Sequence, residues 1–373
     1  MLEKFSVTNF KNFNEKLTFD FTASDYQFNP QSVKEGLVKT AIIYGANASG
    51  KSNLGFAMFD IVQHLTDNAS KGSFYQNYLT KPNKYPCAEF EYCFMFKQNK
   101  VVYRYSKTDH ETLLDEFLSI NNKEVLSVKR TGERKHAKFS LQGAENLSQG
   151  IATANLSIIK YVKENTLLES NDDNTTFNQF FDFIDKMLFF RSLEHNAYLG
   201  LENGAKAIDK DIIDRGNVGN FEKFLNEAGI ECKLKVVADE NNEEKIVFDF
   251  KGETISFFDI ASQGTRSIAL FYYWYQRIQS NKASFVFIDE FDSFYHHNLS
   301  KFIVKKLQEI DVQVVFTTHN TDIMTNDLSR PDCYFILDSN KITSINKLTD
   351  QELRKAHNLQ KLYKAFAFKA NNG

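Results

Sequence analysis

Cysteine, proline and long apolar runs are all scarce in this chain. The four cysteines, Cys87, Cys93, Cys232 and Cys333, stand apart without a CxxC pair. That spacing offers neither a disulfide framework nor a cysteine metal site, and it fits a reducing compartment. No window approaches the roughly 18 apolar residues of a membrane span. The opening MLEKFSVTNF lacks the basic, apolar, small-residue order of a secretory signal. A cytoplasmic protein with no membrane partner is therefore expected. Charge of one sign is missing too: Lys+Arg number 45 against 48 Asp+Glu, so no global basic field points to nucleic acid. With only 4 Pro and 16 Gly, the chain is not a disordered or low-complexity one.

What is present is apolar and patterned. Hydrophobic residues make up 42% of the chain and Phe alone counts 36, ample for a core across 373 residues. That length suits two ordinary domains, or one α/β domain carrying a large insertion. Residues 2–21 alternate in two short runs around NFKNFNEK, the pattern of a β-hairpin. A strand is expected over about 39–44. Helical spacing follows at Leu54, Met58, Ile61, Val62 and Leu65. Strands are expected over 89–97 and 101–107, with a further pair around NNKE. Helices are expected near 153–165, 175–189 and 204–228. From 233 the strands return as KLKVVA and KIVFDF, followed by a helix over 263–280. SFVFID, a helix over 298–309, VQVVFTT and CYFILD then complete a βαβ alternation.

Four short stretches carry chemistry. Gly45 to Ser52 reads GANASGKS, a full GxxxxGKS match at a strand-to-helix junction. Such a loop turns successive N–H groups onto phosphate oxygens at a positive helix end. Lys51 then reaches the outer phosphates and Ser52 holds Mg²⁺. Gly45, Asn47, Gly50, Lys51, Ser52 and Asn53 are the nucleotide-binding candidates here. SFVFIDE ends a buried-strand run in two carboxylates, where Asp289 supports Mg²⁺ and Glu290 polarises the attacking water. A solvated acidic turn is the bland reading of that pair, and its pairing with the phosphate loop argues against it. His319 in FTTHN follows the next apolar strand, where a neutral imidazole reaches a terminal phosphate. Ser262, Gly264 and Thr265 in ASQGT stand at the N-terminus of the following helix and offer a second anion site or a plain N-cap. The aromatic stripe of that helix, Phe271, Tyr272, Trp274 and Tyr275, reads as packing. No NKxD guanine motif occurs, which leaves ATP as the nucleotide.

In this order and spacing the four pieces resemble the ATP-binding-cassette (ABC) type ATPases of the SMC, RecF and OLD group. The opening FSVTNFKNFNEKLTFDF resembles that group's first hairpin, whose turn approaches the nucleotide. The resemblance implies an α/β P-loop NTPase of ABC-ATPase type: a mixed central sheet with an antiparallel β-subdomain and an inserted, mainly helical lobe. It divides the chain into a head from 1–107 and 233–345, a lobe from 108–232 for dimer or partner contacts, and a helical tail from 346–373. Asp292 and Ser293 match the group's D-loop and His319 its switch histidine. Ser262, Gln263 and Gly264 match the signature, which in this group closes on the nucleotide of a second subunit. ATP and Mg²⁺ are the implied cofactors, and a homodimer or higher oligomer built around a shared ATP site the implied assembly.

Within the group, the chain is similar to compact bacterial anti-phage or abortive-infection ATPases, whose tails resemble LRKAHNLQKLYKAFAF. This implies a slow ATPase working beside a separate effector, a nuclease or another toxin. The alternatives are a RecF-like DNA-repair ATPase and an ATP-locked scaffold. Two features depart from the pattern. The signature reads ASQGT in place of LSGGQ or LSSGT, and no glutamine marks the Q-loop, for which Gln76, Gln98, Gln142 and Gln149 are candidates. The basic run VKRTGERKHAK at 128–138 could meet nucleic-acid phosphate, but such a run around Thr-Gly reads first as a solvated hairpin tip.

Overall fold

The computed structural model describes residues 1–373 except 69–71, 83–84, 133–134, 148–154, 192–197, 201–207, 240, 282, 294–296, 366 and 369–373. The chain opens with β1 (Leu2–Thr8), β2 (Leu17–Asp20), a short hairpin of β3 (Val33–Lys34) and β4 (Leu37–Val38), and β5 (Thr40–Tyr44). Helices α1 (Lys51–Met58) and α2 (Asp60–Leu65) follow, then β6 (Ala88–Phe96), β7 (Asn99–Lys107), β8 (Leu113–Ile120), β9 (Lys123–Lys129) and β10 (His136–Phe139). Next come α3 (Ile158–Asn165), α4 (Asp172–Asp185), β11 (Met187–Arg191), β12 (Tyr198–Gly200), α5 (Ile208–Asp214) and α6 (Val218–Glu227). A three-stranded meander, β13 (Leu234–Ala238), β14 (Glu244–Phe250) and β15 (Glu253–Ser256), leads through α7 (Phe257–Ile260) to α8 (Gln263–Asn281). The chain ends with β16 (Phe285–Asp289), α9 (His297–Gln308), β17 (Gln313–Thr317), β18 (Tyr334–Asp338), β19 (Lys341–Ser344) and α10 (Leu359–Lys364).

Two seven-stranded sheets form the frame. The core sheet runs β12-β11-β16-β17-β5-β18-β19, and its five middle strands are parallel. Parallel strands covered on both faces are apolar at nearly every position, and that is why they read as near-continuous runs rather than alternating ones. Their side chains divide by parity. Ala41, Ile43, Phe189, Phe285, Phe287 and Val315 join one core, and Ile42, Tyr44, Phe190, Val286, Ile288 and Phe316 join the other. The first core is closed by α1, α2, α4 and the antiparallel sheet β10-β9-β8-β7-β6-β1-β2, and the second by α6, α8 and α9. Trp274 of α8 stacks on Phe190 of β11 at 5.4 Å, so the aromatic stripe of α8 is packing, as expected.

The α/β architecture expected of an ABC-type P-loop NTPase, a mixed central sheet with an antiparallel subdomain, is present. The internal divisions of the chain need correcting. The 108–232 segment holds more helix than strand among the described residues, as expected, but it is not a separate lobe. Its strands β8, β9 and β10 extend the antiparallel sheet begun by β1 and β6, and β11 lies inside the core sheet beside β16. The residues 187–189, taken as the end of a helix, belong to β11; five apolar or long side chains in a row fit either element, and pairing with β16 decides. The helix expected over 51–65 breaks at Phe59 into α1 and α2. In the 346–373 tail only Leu359–Lys364 is α-helical among the described residues. The tail is held by Asn326, whose Nδ2 donates to the carbonyls of Arg354 and His357, both at 3.0 Å.

Candidate functional site

Three neighbouring strands, β16, β17 and β5, end on the same edge of the core sheet. Loops leaving the carboxyl ends of parallel strands are where such sheets place ligands. The GANASGKS loop leaves β5, Glu290 follows β16, and His319 follows β17, so residues far apart in sequence meet here.

The loop after β5 is built to arch. Gly50 sits at φ 101° and Ala48 at φ 61°, both in the left-handed region. A Cβ at Gly45 would press on Ser49 Oγ and the Leu337 carbonyl, and one at Gly50 would strike the Asn12 side chain. Residues 46–48 are exposed, whereas Lys51 is 6% exposed and folds back under the arch. Its Nζ donates to the carbonyls of Gly45 at 2.9 Å and Ala46 at 3.1 Å. Burial pulls the Lys51 ammonium below its ordinary range, against the opposing charges of Asp289 and Glu290. Ser49 Oγ is buried without a hydrogen-bond partner among the described residues, and α1 begins at Lys51 with its N–H groups facing the arch.

Asp289 is fully buried at the end of β16. Thr317 Oγ1 donates to its Oδ1 at 2.7 Å, and Arg191 Nε donates to its Oδ2 at 2.9 Å. Arg191 Nη2 also donates to Ser52 Oγ at 2.8 Å, so the hydroxyl of the loop and the carboxylate of β16 are joined through one guanidinium. Glu290 stands at φ 50°, an uncommon backbone state for a non-glycine residue, and its N–H donates to Thr317 Oγ1 at 2.8 Å. Thr317 thereby holds both acidic residues in place with one hydroxyl. His319 is exposed, and its imidazole is lowered by burial first and by Lys51 second, while Glu290 and Asp289 raise it. It is neutral at pH 7. Asp292 accepts from Thr318 Oγ1 at 2.7 and 2.8 Å, and burial pushes its carboxyl up to about 6.

Lys51, Ser52, Asp289, Glu290 and His319 thus come together. Asn53 faces the first hairpin, where its Nδ2 donates to Asn12 Oδ1 at 2.7 Å, so the turn of NFKNF does approach the phosphate loop. Ser262 stands elsewhere. Its Oγ caps α8 by accepting the Thr265 N–H at 3.2 Å, and with Thr265 it lines a cleft against Phe248 and Phe250 that includes no residue of the phosphate loop. Gln263 and Gly264 form the first turn of α8 beside it. Of the candidate Q-loop glutamines, Gln76 lies beside the NFKNF turn, its carbonyl accepting from Lys11 Nζ at 2.9 Å, Gln98 sits in the turn between β6 and β7, Gln142 follows β10, and Gln149 lies outside the described residues. Three residues of the site were not foreseen. Arg191 lay just past a supposed helix end, Thr317 looked like an ordinary strand residue, and Asn12 lay in a hairpin turn. Only the TT of FTTHN offered a hint, since a hydroxyl after a buried apolar run needs a partner.

In the basic run, Arg130 is turned inward. Its guanidinium donates to the Leu114 carbonyl at 2.8 Å and pairs with the buried Glu116 at 3.6 Å. Lys129 and His136 pair across the β9–β10 hairpin, and Lys138 stands within β10 with its Nζ 3.6 Å from Glu124; Glu133 and Arg134 lie outside the described residues.

The donor set suits a magnesium nucleotide. Ser52 supplies a hydroxyl, Asp289 a carboxylate, and the arch supplies N–H groups around an unpartnered Ser49 hydroxyl. Among the described residues no group of three His, Cys, Asp or Glu could hold a metal. A divalent ion here would therefore complete its shell with phosphate oxygens and water, as Mg²⁺ does. No helix among the described residues is long and apolar enough to cross a membrane.

Among solved structures, the chain is similar to an SMC head bound to the C-winged helix domain of ScpA, with 13% identity and a TM-score of 0.47 over 92% of this chain and 97% of that one. It is also similar to the SMC head domain from Thermotoga maritima, at 13% identity and TM-score 0.44 over 92% and 97% of the two chains. A third is the Smc head domain with an extended coiled coil bound to the C-terminal domain of ScpA from Pyrococcus furiosus, at 13% and 0.44 over 93% and 97%. No curated protein matches. A family model matches residues 41–325, from the strand that carries the phosphate loop to just beyond His319, and the chain belongs to that family, described as "AAA domain, putative AbiEii toxin, Type IV TA system".

Proposed function

We propose that the protein binds and hydrolyses Mg-ATP as the motor or sensor subunit of a bacterial anti-phage, abortive-infection system. The observation that carries the ATPase reading is the convergence of Lys51, Ser52, Asp289, Glu290 and His319 on one end of the core sheet, with Lys51 and His319 each under the influence of both acidic residues. The arch from Gly45 to Gly50, with Asn47 at its exposed crest and Asn53 behind it, cradles the phosphates. Lys51 neutralises them, and Ser52 with Asp289 holds the metal. Mg²⁺, when bound, draws charge from the phosphate oxygens. Glu290 takes a proton from the attacking water, at a backbone angle that Thr317 maintains. His319, neutral at pH 7, hydrogen-bonds the terminal phosphate.

Ser262, at the head of α8 with Gln263 and Gly264, lines a cleft that includes no residue of its own phosphate loop, which supports their action on the nucleotide of a second copy. ATP then joins two chains, and closure of the pair holds or releases a separate effector such as a nuclease or toxin. The family's description, which names a toxin and a toxin–antitoxin system, supports the defence setting. Of the basic hairpin on which the RecF-like alternative would draw, Arg130 is committed to Glu116 and the Leu114 carbonyl, whereas Lys129, Lys135 and Lys138 are exposed.

Steady-state phosphate release by wild type, Glu290→Gln and Lys51→Ala tests the reading, together with sedimentation in ATP. Wild type turns over, Lys51→Ala fails to bind, and Glu290→Gln binds without turnover, sediments as a dimer and retains its effector in a pull-down. Hydrolysis by wild type no faster than by Glu290→Gln would leave Glu290 without a role as base.

A further inference from the structure

The register of the core sheet sets Arg191, the last residue of β11, directly opposite Asp289, the last residue of β16. Arg191 Nε and Nη2 both lie 2.9 Å from Asp289 Oδ2, and Nη2 donates to Ser52 Oγ at 2.8 Å. The Asp289 side chain is fully buried and that of Arg191 is 33% exposed. The other oxygen of Asp289 is already taken by Thr317. A buried carboxylate without a cation or donors is strongly disfavoured, so the guanidinium supplies the compensating charge.

The two atoms that Arg191 bridges are the two to which the functional reading above, on which this inference rests, assigns Mg²⁺. A magnesium ion needs its oxygen ligands at about 2.0–2.1 Å in near-octahedral array. A guanidinium seated on the same lone pairs leaves no room for that shell, and its charge repels the ion. We propose that Arg191 is a positioning residue that holds Ser52 and Asp289 together and must withdraw from both when Mg²⁺ enters, so that the site exchanges one cation for another. Charge on Asp289 stays compensated throughout. Metal entry is thereby coupled to movement at the end of β11, whose Phe190 packs on Trp274 of the helix headed by Ser262.

Removing Arg191 should therefore favour the metal. The test compares wild type, Arg191→Ala and Arg191→Lys by thermal unfolding in EDTA and in rising MgCl₂ without nucleotide, then by binding of a fluorescent ATP analogue over the same Mg²⁺ series. Arg191→Ala should melt below wild type in EDTA and recover as Mg²⁺ is added, while wild type gains little. Its half-saturating Mg²⁺ for analogue binding should fall about tenfold or more, the scale of one lost hydrogen bond to a charged group. Arg191→Lys, which keeps the charge but cannot bridge both atoms, should lie between. Adding Asp289→Asn to Arg191→Ala should abolish the Mg²⁺-dependent gain in melting temperature. Equal Mg²⁺ midpoints in wild type and either variant would overturn the exchange, and if Arg191→Ala does not fold, the Arg191→Lys comparison decides. An analogue that binds no form at any Mg²⁺ concentration would instead sink the nucleotide reading, and the melting series would still decide the exchange.

Discussion

Replacing Thr317 by Val removes a single hydroxyl from a residue with no exposure and keeps its shape. That hydroxyl donates to Asp289 Oδ1 at 2.7 Å and accepts from the Glu290 N–H at 2.8 Å. The variant leaves a buried carboxylate oxygen and a backbone N–H without these partners. A hydrogen bond to a charged group contributes about 1.5–3 kcal/mol and a neutral one about 1 kcal/mol, so Thr317→Val should cost about 2–4 kcal/mol. The protein has one tryptophan, Trp274, buried against Phe190 of the same sheet, so its fluorescence reports denaturant unfolding directly. ATP turnover should drop as well, because Glu290 is held at φ 50° only while its N–H is tied down. Thr318→Val, one residue on, removes partners of Asp292 instead and should spare the Glu290 geometry. A Thr317→Val protein within about 0.5 kcal/mol of wild type, the ordinary range of surface substitutions, would refute the idea that this hydroxyl organises the acidic pair.

Three further outcomes are expected. Burial raises the Asp292 carboxyl to about 6, above the roughly 3.9 of an unfolded Asp, so between those values the folded state holds a proton that the unfolded state has lost. The contribution of this group to stability therefore rises as pH falls from 7 to 5 and is absent from Asp292→Asn; parallel pH profiles of the two unfolding midpoints would contradict this. Gly50→Ala places a side chain at φ 101° and against Asn12, and should abolish binding of a fluorescent ATP analogue at a strain of about 1–3 kcal/mol, measured by titration and melting temperature. Lys107 and Asp60 form a wholly buried pair at 2.8 Å, and Asp60 also accepts from Tyr78 and Tyr105, both at 2.9 Å. Lys107→Met leaves that carboxylate uncompensated and should lose about 3–5 kcal/mol by denaturant unfolding, with part recovered in the Lys107→Met, Asp60→Leu double variant.

Most of the strands were legible because burial leaves its mark locally. SFVFID and VQVVFTT are apolar at consecutive positions since both of their faces are covered, and NNKE turns sharply because Asn121 and Asn122 accept positive φ, at 49° and 65°. MLFFR misled for the same reason in reverse: following a helix, with no turn residue between, its apolar run matches a helix end as well as a strand. The separateness of the supposed lobe failed with it, since β8 to β10 extend the antiparallel sheet and β11 enters the core sheet.

The amino-acid sequence by itself determined the phosphate loop, the Asp289–Glu290 pair and His319, because each is a contiguous arrangement whose chemistry is set by neighbouring residues and one flanking strand. Only the tertiary structure decided that Arg191 spans Ser52 and Asp289, that Thr317 ties Asp289 to Glu290, and that Asn12 leans on Gly50. Those contacts depend on which strands lie side by side and in what register. Such pairings are settled by the packing of two whole cores, and no local pattern of residues encodes them.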